Sequence, residues 1–304
     1  MTTEAAPRSR FRQTMAILLL CRVPFWQRSR TRRIARFLVL ACYLYVGTLL
    51  VLLALEDRLL FPGATFGRPW RQPPDNLPVR ELTLDSAHGE RIHAWFSAPE
   101  GWLPRRGAIL FSHGNGGNLS RIGGRAFRWR QQFGRAVLLY DYPGYGKSSG
   151  RPSEAACYAA GEAAFRWLVE EERVPAGKVI LVGESMGGAV ATELATRHVV
   201  RLLVLHGAFT SFPDMAQVRV PYYPSRYLVH NRMDNEAKIG HIHCPVLISH
   251  GTADSVVPFR QGERLYAAAG EPKRFVRIEG HGHGPPNTAE FFETVKTFLT
   301  ETVR

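Results

Sequence analysis

The chain is 304 residues long, 45% hydrophobic and 21% charged, which excludes a disordered protein and allows one large domain or two ordinary ones. Its formal charge of +13 invites a nucleic-acid reading, but nine arginines and one acid, Glu4, place +8 of it in residues 1–36 and leave +5 for the rest. No binding motif accompanies that basic head, so nucleic acid is not the expected partner.

The basic head (1–36) leads into FLVLACYLYVGTLLVLLAL, an uncharged run of 19 residues at positions 37–55. About 20 apolar residues suffice for a helix to cross the hydrocarbon core of a bilayer, so the run is read as a transmembrane anchor. With the arginines on its N-terminal side, the positive-inside rule keeps the N-terminus cytoplasmic and puts the main domain across the membrane. A cleaved signal peptide fits less well, because the basic region is too long and no A-x-A site lies near Leu55. The earlier patch MAILLL (15–20) is too short to span.

Residues 56–76 are rich in Pro, Gly and Arg and read as a linker laid on the surface, which leaves 77–304 as a single folded domain. In that domain VRELTLD (79–85) and RIHAWFSA (91–98) predict a hairpin. GAILFSHG (107–114) predicts a buried strand, followed by a helix through about Gln132. AVLLYDY (136–142) is another strand, and a helix with Ser153 as N-cap runs to Glu172. KVILVGE (178–184) is a strand and MGGAVATELATRH a helix. Three more strands, VRLLVLHG (200–207), PVLISHG (245–251) and RFVRIEG (274–280), precede a last helix through AEFFETVKTFL. Short apolar runs alternating with helices imply an α/β fold: about eight strands, mostly parallel, with helices on both faces and an antiparallel edge.

In such a sheet the chemistry collects at the C-terminal ends of the strands. There Gly183-Glu184-Ser185-Met186-Gly187 follows a strand and opens a helix, the setting a G-x-S-x-G nucleophile requires. A serine nucleophile needs a base, and the base needs an acid to orient it. Asp254 lies just past the PVLISHG strand, with Asp214 as the alternative acid. After RFVRIEG comes GHGHG, where the residues alone leave His281 and His283 both open as the base. An oxyanion needs two backbone N–H donors: one from Met186, after the serine, and one from the Gly-rich loop FSHGNGGN (111–118). Asn115 is placed as the second donor, with Gly116 as the fallback, and His113 is expected to hold the turn.

These residues make the chain recognisable. Over about residues 75–304 it resembles the α/β-hydrolase superfamily, and within it the membrane-tethered lysophospholipase-like and serine aminopeptidase-like branch. The carrying motifs are LEDRLLFPG (55–63), FSHGNGGN, DYPGYGKSSG (141–150), GESMGG and HGTADSVVP (250–258). The middle motif usually has Arg where this chain has Pro143, a change in a structural loop. The resemblance implies a Ser185-Asp254-His283 triad, because relatives commonly place the base five residues beyond the position matching Ile278. It also implies ester or thioester hydrolysis through an acyl-enzyme, and relatives include thioesterases that remove palmitate from proteins. Tethering and an open site, rather than the resemblance, suggest substrates in or near the membrane, such as lipids or acylated molecules. A peptidase of the same fold, or a non-catalytic tethered binding protein, is the alternative.

Other signals carry less. GYGKSS (144–149) lacks the glycine that a phosphate-binding loop needs at position 141, which is Asp. His241 and His243 could join His281 and His283 on zinc, but no H-E-x-x-H or paired C-x-x-C accompanies them, so neither metal nor cofactor is expected. Four cysteines make no disulfide framework, and Cys157 and Cys244 read as buried thiols. About 37 residues between the sixth and seventh strands are too few for a full cap. Their Tyr222, Tyr223 and Tyr227 either line an acyl pocket or pack on the body.

Overall fold

A computed structural model describes residues 30–73 and 77–302. The head through residue 29, with the MAILLL patch and Cys21, and residues 74–76 of the expected linker lie outside the described residues. The chain divides into two units, one ending at Ala54 and the other beginning at Leu55.

Of the first unit the described part is helix α1 (Arg30–Ala54). Its segment Arg33–Ala54, 22 residues with a mean hydropathy of 2.5, is long and apolar enough to cross a membrane. Phe37, Leu38 and Leu44 on it are exposed.

The second unit begins earlier than composition suggests. Residues that read as a linker form two helical turns, α2 (Glu56–Leu60) and α3 (Pro62–Phe66), and the Phe61 between them is wholly buried against Phe212. The polar average of 56–76 hides this one aromatic residue. The folded unit therefore starts at Leu55 rather than at 77.

Eight strands follow: β1 (Arg80–Asp85), β2 (Arg91–Ser97), β3 (Ala108–Ser112), β4 (Ala136–Tyr140), β5 (Val179–Glu184), β6 (Leu202–His206), β7 (Val246–Gly251) and β8 (Lys273–Ile278). They form one sheet in the order β1-β2-β4-β3-β5-β6-β7-β8. β1 and β2 pair antiparallel, as do β2 and β4, and every other pairing is parallel. The central strands are buried along their whole length, which explains their unbroken apolar runs. Strand periodicity sorts their side chains: Leu110, Leu138, Leu181 and Leu203 join the core on one face, while Ile109, Val137, Ile180 and Val204 join that on the other.

The helices that close the two faces are the expected ones. α4 (Leu119–Phe133) and α11 (Ala289–Glu301) cover one side, where Trp129 meets Phe133, Phe291 and Phe292. α5 (Glu154–Glu170) and α6 (Met186–Arg197) cover the other. Ser153 caps α5, its hydroxyl accepting the Ala156 N–H at 3.1 Å. Four further helices, which the strand pattern did not predict, complete the unit: α7 (Phe212–Arg219), α8 (Ser225–Leu228), α9 (Asn235–Ile239) and α10 (Phe259–Ala268). Cys157 and Cys244 are buried free thiols.

Strand order places the site. The chain leaves β3 toward β4 on one side and returns to β5 on the other, so the loops after β3 and β5 part above a crevice.

Candidate active site

Ser185 stands between β5 and α6 with φ 52° and ψ −117°, a left-handed backbone that a non-glycine residue adopts only under constraint. The constraint comes from both sides. The Ser185 N–H donates to the His206 carbonyl at 2.9 Å, and the Gly188 N–H returns to the Ser185 carbonyl at 2.9 Å. At Gly187 a Cβ would collide with the Ser112 carbonyl and sit 2.6 Å from that of His113, so only glycine lets α6 approach β3 this closely. The serine is thus held proud of the sheet edge.

Asp254 is buried in the turn after β7. Its Oδ1 accepts the N–H groups of Val256 and Val257, each at 2.8 Å, and its Oδ2 accepts from His283 Nδ1 at 2.7 Å. His250 Nε2 lies 3.3 Å from the same Oδ2 and 2.9 Å from the Val257 carbonyl. A carbonyl only accepts, so His250 carries its proton on Nε2. Burial alone would raise the Asp254 pKa, but the bonds from His250, His283 and Val257 outweigh it and hold the carboxyl well below the usual range. An anionic Asp254 fixes the His283 proton on Nδ1 and leaves Nε2 as a base.

The GHGHG loop separates its two histidines by partner. His283 pairs with Asp254, whereas His281 Nε2 donates to the Gly284 carbonyl at 2.7 Å. His206, buried at the end of β6, donates from Nε2 to the same carbonyl at 2.9 Å. Burial pushes His206 down to about 3, so it is a neutral donor at physiological pH. It therefore holds Ser185 through its main chain and the His283 loop through its ring. Asp214, the alternative acid, is engaged elsewhere, with Arg226 at 3.1 Å and Arg264 at 2.8 Å.

Ser185 and His283 line one cavity of about 460 Å³, together with Gly114–Gly117, Arg121, Arg125 and Glu184. Asn115 and its fallback Gly116 are both in that wall. Met186 opens α6, and the first N–H groups of a helix lack intrahelical partners. His113 is buried behind the loop, with Nδ1 2.7 Å from the Gly114 carbonyl and Nε2 3.2 Å from Asp141, so it holds the turn as expected. Glu184 pairs with Arg125 at 3.0 Å, yet burial raises its pKa. Of the tyrosines that could have lined an acyl pocket or packed on the body, Tyr222 and Tyr227 are 86% and 83% exposed and neither lines this cavity.

Sequence reasoning missed His250, His206, Glu184 and Arg125. His206 and His250 carried a faint signal, since each lies in a strand-end His-Gly pair, but His113 does as well. Nothing in spacing marks the arginine.

A family model described as alpha/beta hydrolase fold matches residues 107–228. An uncharacterized protein of Mycobacterium tuberculosis is 34% identical over 261 residues, covering 84% of this chain and 91% of that protein. Alpha/beta hydrolase domain-containing protein 17B of Xenopus tropicalis is 32% identical over 199 residues, 64% of this chain and 66% of that one. Among solved structures, an acetyl xylan esterase from Paenibacillus sp. R4 superposes with a TM-score of 0.63 at 18% identity, over 82% of this chain and 95% of its own; that likeness speaks to fold alone.

Proposed function

The chain belongs to the α/β-hydrolase family, and from that premise we propose that it is a membrane-anchored serine hydrolase acting on esters or thioesters. The observation that carries this reading is the meeting, in one cavity, of a serine on a strained strand–helix turn with a histidine held by a buried carboxylate.

In the proposed reaction His283 Nε2 takes the Ser185 proton as Oγ attacks the acyl carbonyl carbon. The carbonyl oxygen becomes an oxyanion held by the N–H groups of Met186 and Asn115, worth roughly 10²- to 10³-fold in rate per donor. Asp254 stabilises the imidazolium, which gives its proton to the departing alcohol or thiol. Water then attacks the acyl-enzyme with His283 as base, releasing the carboxylic acid and restoring the serine.

Lipid or acylated substrates fit the proposed anchor. An exposed apolar helix such as α1 is costly in water and costs nothing in hydrocarbon, and the arginines before it favour a cytoplasmic N-terminus. Fluorophosphonate labelling tests the chemistry: wild-type protein should be labelled and Ser185→Ala should not. A folded wild-type chain that resists the probe would overturn the reading. A panel of acyl esters, thioesters and aminopeptides then separates an esterase from a peptidase of the same fold.

A further inference from the structure

The segment that follows α1 in sequence, Glu56–Gly63, touches both the Gly-rich loop after β3 and the insert between β6 and β7. At its C-terminal end it forms a reciprocal pair with Asn115: the Gly63 N–H donates to the Asn115 carbonyl at 2.9 Å, and Asn115 Nδ2 donates to the Leu60 carbonyl at 2.8 Å. With its carbonyl and side-chain Nδ2 both committed to this segment, the N–H is the backbone group Asn115 has left for the cavity it lines. Gly63 has no room for a side chain. A Cβ there would lie 2.5 Å from the Asn115 carbonyl oxygen and collide with the Tyr145 ring.

At its N-terminal end the segment grips the insert between β6 and β7. Glu56 Oε1 accepts the N–H groups of His230 and Asn231, at 3.0 and 2.9 Å, and the Asn231 side-chain amide at 3.0 Å; Oε2 lies 3.0 Å from His230 Nδ1. Burial opposes the Glu56 charge, but these bonds outweigh it and keep the carboxyl below its usual range. Phe61, wholly buried between the two ends, pins the segment to the core.

We propose that Glu56–Gly63 is a strap that positions the oxyanion loop: Leu60 and Gly63 set the Asn115 N–H, and Glu56 ties the strap to the insert at its other end. The proposal rests on the serine-hydrolase reading above. Leu60 and Gly63 are positioning residues, acting on substrate only through Asn115. A loop so held loses catalytic power without losing substrate binding when the strap is disturbed, because a donor displaced by about 1 Å stabilises the transition state less, at a cost of up to about 100-fold in rate.

The test uses the full-length chain with Gly63→Val, Gly63→Ala and Glu56→Ala, together with Asn115→Ala, which removes the bond to Leu60 but leaves the backbone N–H. Rates of fluorophosphonate labelling and acyl-ester kcat and KM are read at a temperature where melting curves show each variant folded. The expected result is a fall in kcat and labelling rate of roughly 10- to 100-fold for Gly63→Val and Asn115→Ala, with KM within about threefold of wild type. Gly63→Ala and Glu56→Ala should lie between these and wild type. Folded Gly63→Ala and Asn115→Ala variants with wild-type kcat would overturn the proposal, even if both melt earlier, and this holds should Gly63→Val fail to fold. Failure of wild-type protein to label is a different outcome: it sinks the serine-hydrolase reading itself.

Discussion

Burial of His206 should cost the protein stability as pH falls below 6.5. Its ring donates from Nε2 to the Gly284 carbonyl and its Nδ1 lies 2.9 Å from the Ser249 hydroxyl, so the neutral form is satisfied. Charging it places an imidazolium inside the sheet edge, and burial lowers its pKa from 6.5 to about 3. Below pH 6.5 the unfolded chain therefore binds a proton that the folded chain refuses, and stability falls as pH falls until the folded group titrates. At about 1.36 kcal/mol per pH unit the loss is about 2 kcal/mol at pH 5 and about 4 kcal/mol near pH 3, where it levels off as the folded group titrates. The assay is urea unfolding of wild type and His206→Gln at pH 7.5 and pH 5.0, since glutamine can still donate to Gly284 but does not titrate. With an m-value of about 3 kcal/mol/M, the wild-type midpoint should drop by about 0.7 M more than that of the variant. At pH 5 the depressed carboxylates, Asp254 and Glu56 among them, remain ionised, so the difference isolates the histidine. Equal drops in the two proteins would show that His206 does not titrate across this window and that the reasoning from burial is wrong.

Three further outcomes follow from the site and the core. His283→Ala should lower kcat by at least about 10³-fold, and His281→Ala by only a few fold, because His206 still holds the Gly284 carbonyl; a dead His281 variant beside an active His283 variant would reverse the assignment. Asp254→Asn should cost roughly 10³- to 10⁴-fold in kcat with little change in KM, since the amide keeps the bonds to Val256 and Val257 but turns His283 to the wrong tautomer; steady-state kinetics decide it. Phe61→Ala should destabilise the second unit by about 3–5 kcal/mol in denaturant unfolding, whereas a true surface linker would tolerate it within about 0.5 kcal/mol.

The sequence by itself determined what depends on local pattern. Buried parallel strands must be apolar on both faces, so β3 to β7 announce themselves as short unbroken runs, and G-x-S-x-G between strand and helix marks Ser185 as the candidate nucleophile without any tertiary knowledge. The Ser153 cap was legible for the same reason, because a cap bonds within three residues. Tertiary structure decided whatever depends on partners distant in the chain. GHGHG offers two equivalent histidines, and only the fold shows that Asp254 meets His283 while the Gly284 carbonyl takes His281. His250 and His206 act through residues across the sheet edge, so spacing could not assign them a role. The strap shows the same limit: Glu56–Gly63 looks like linker because its bonds go to residues 115, 230 and 231, far along the chain but close in space.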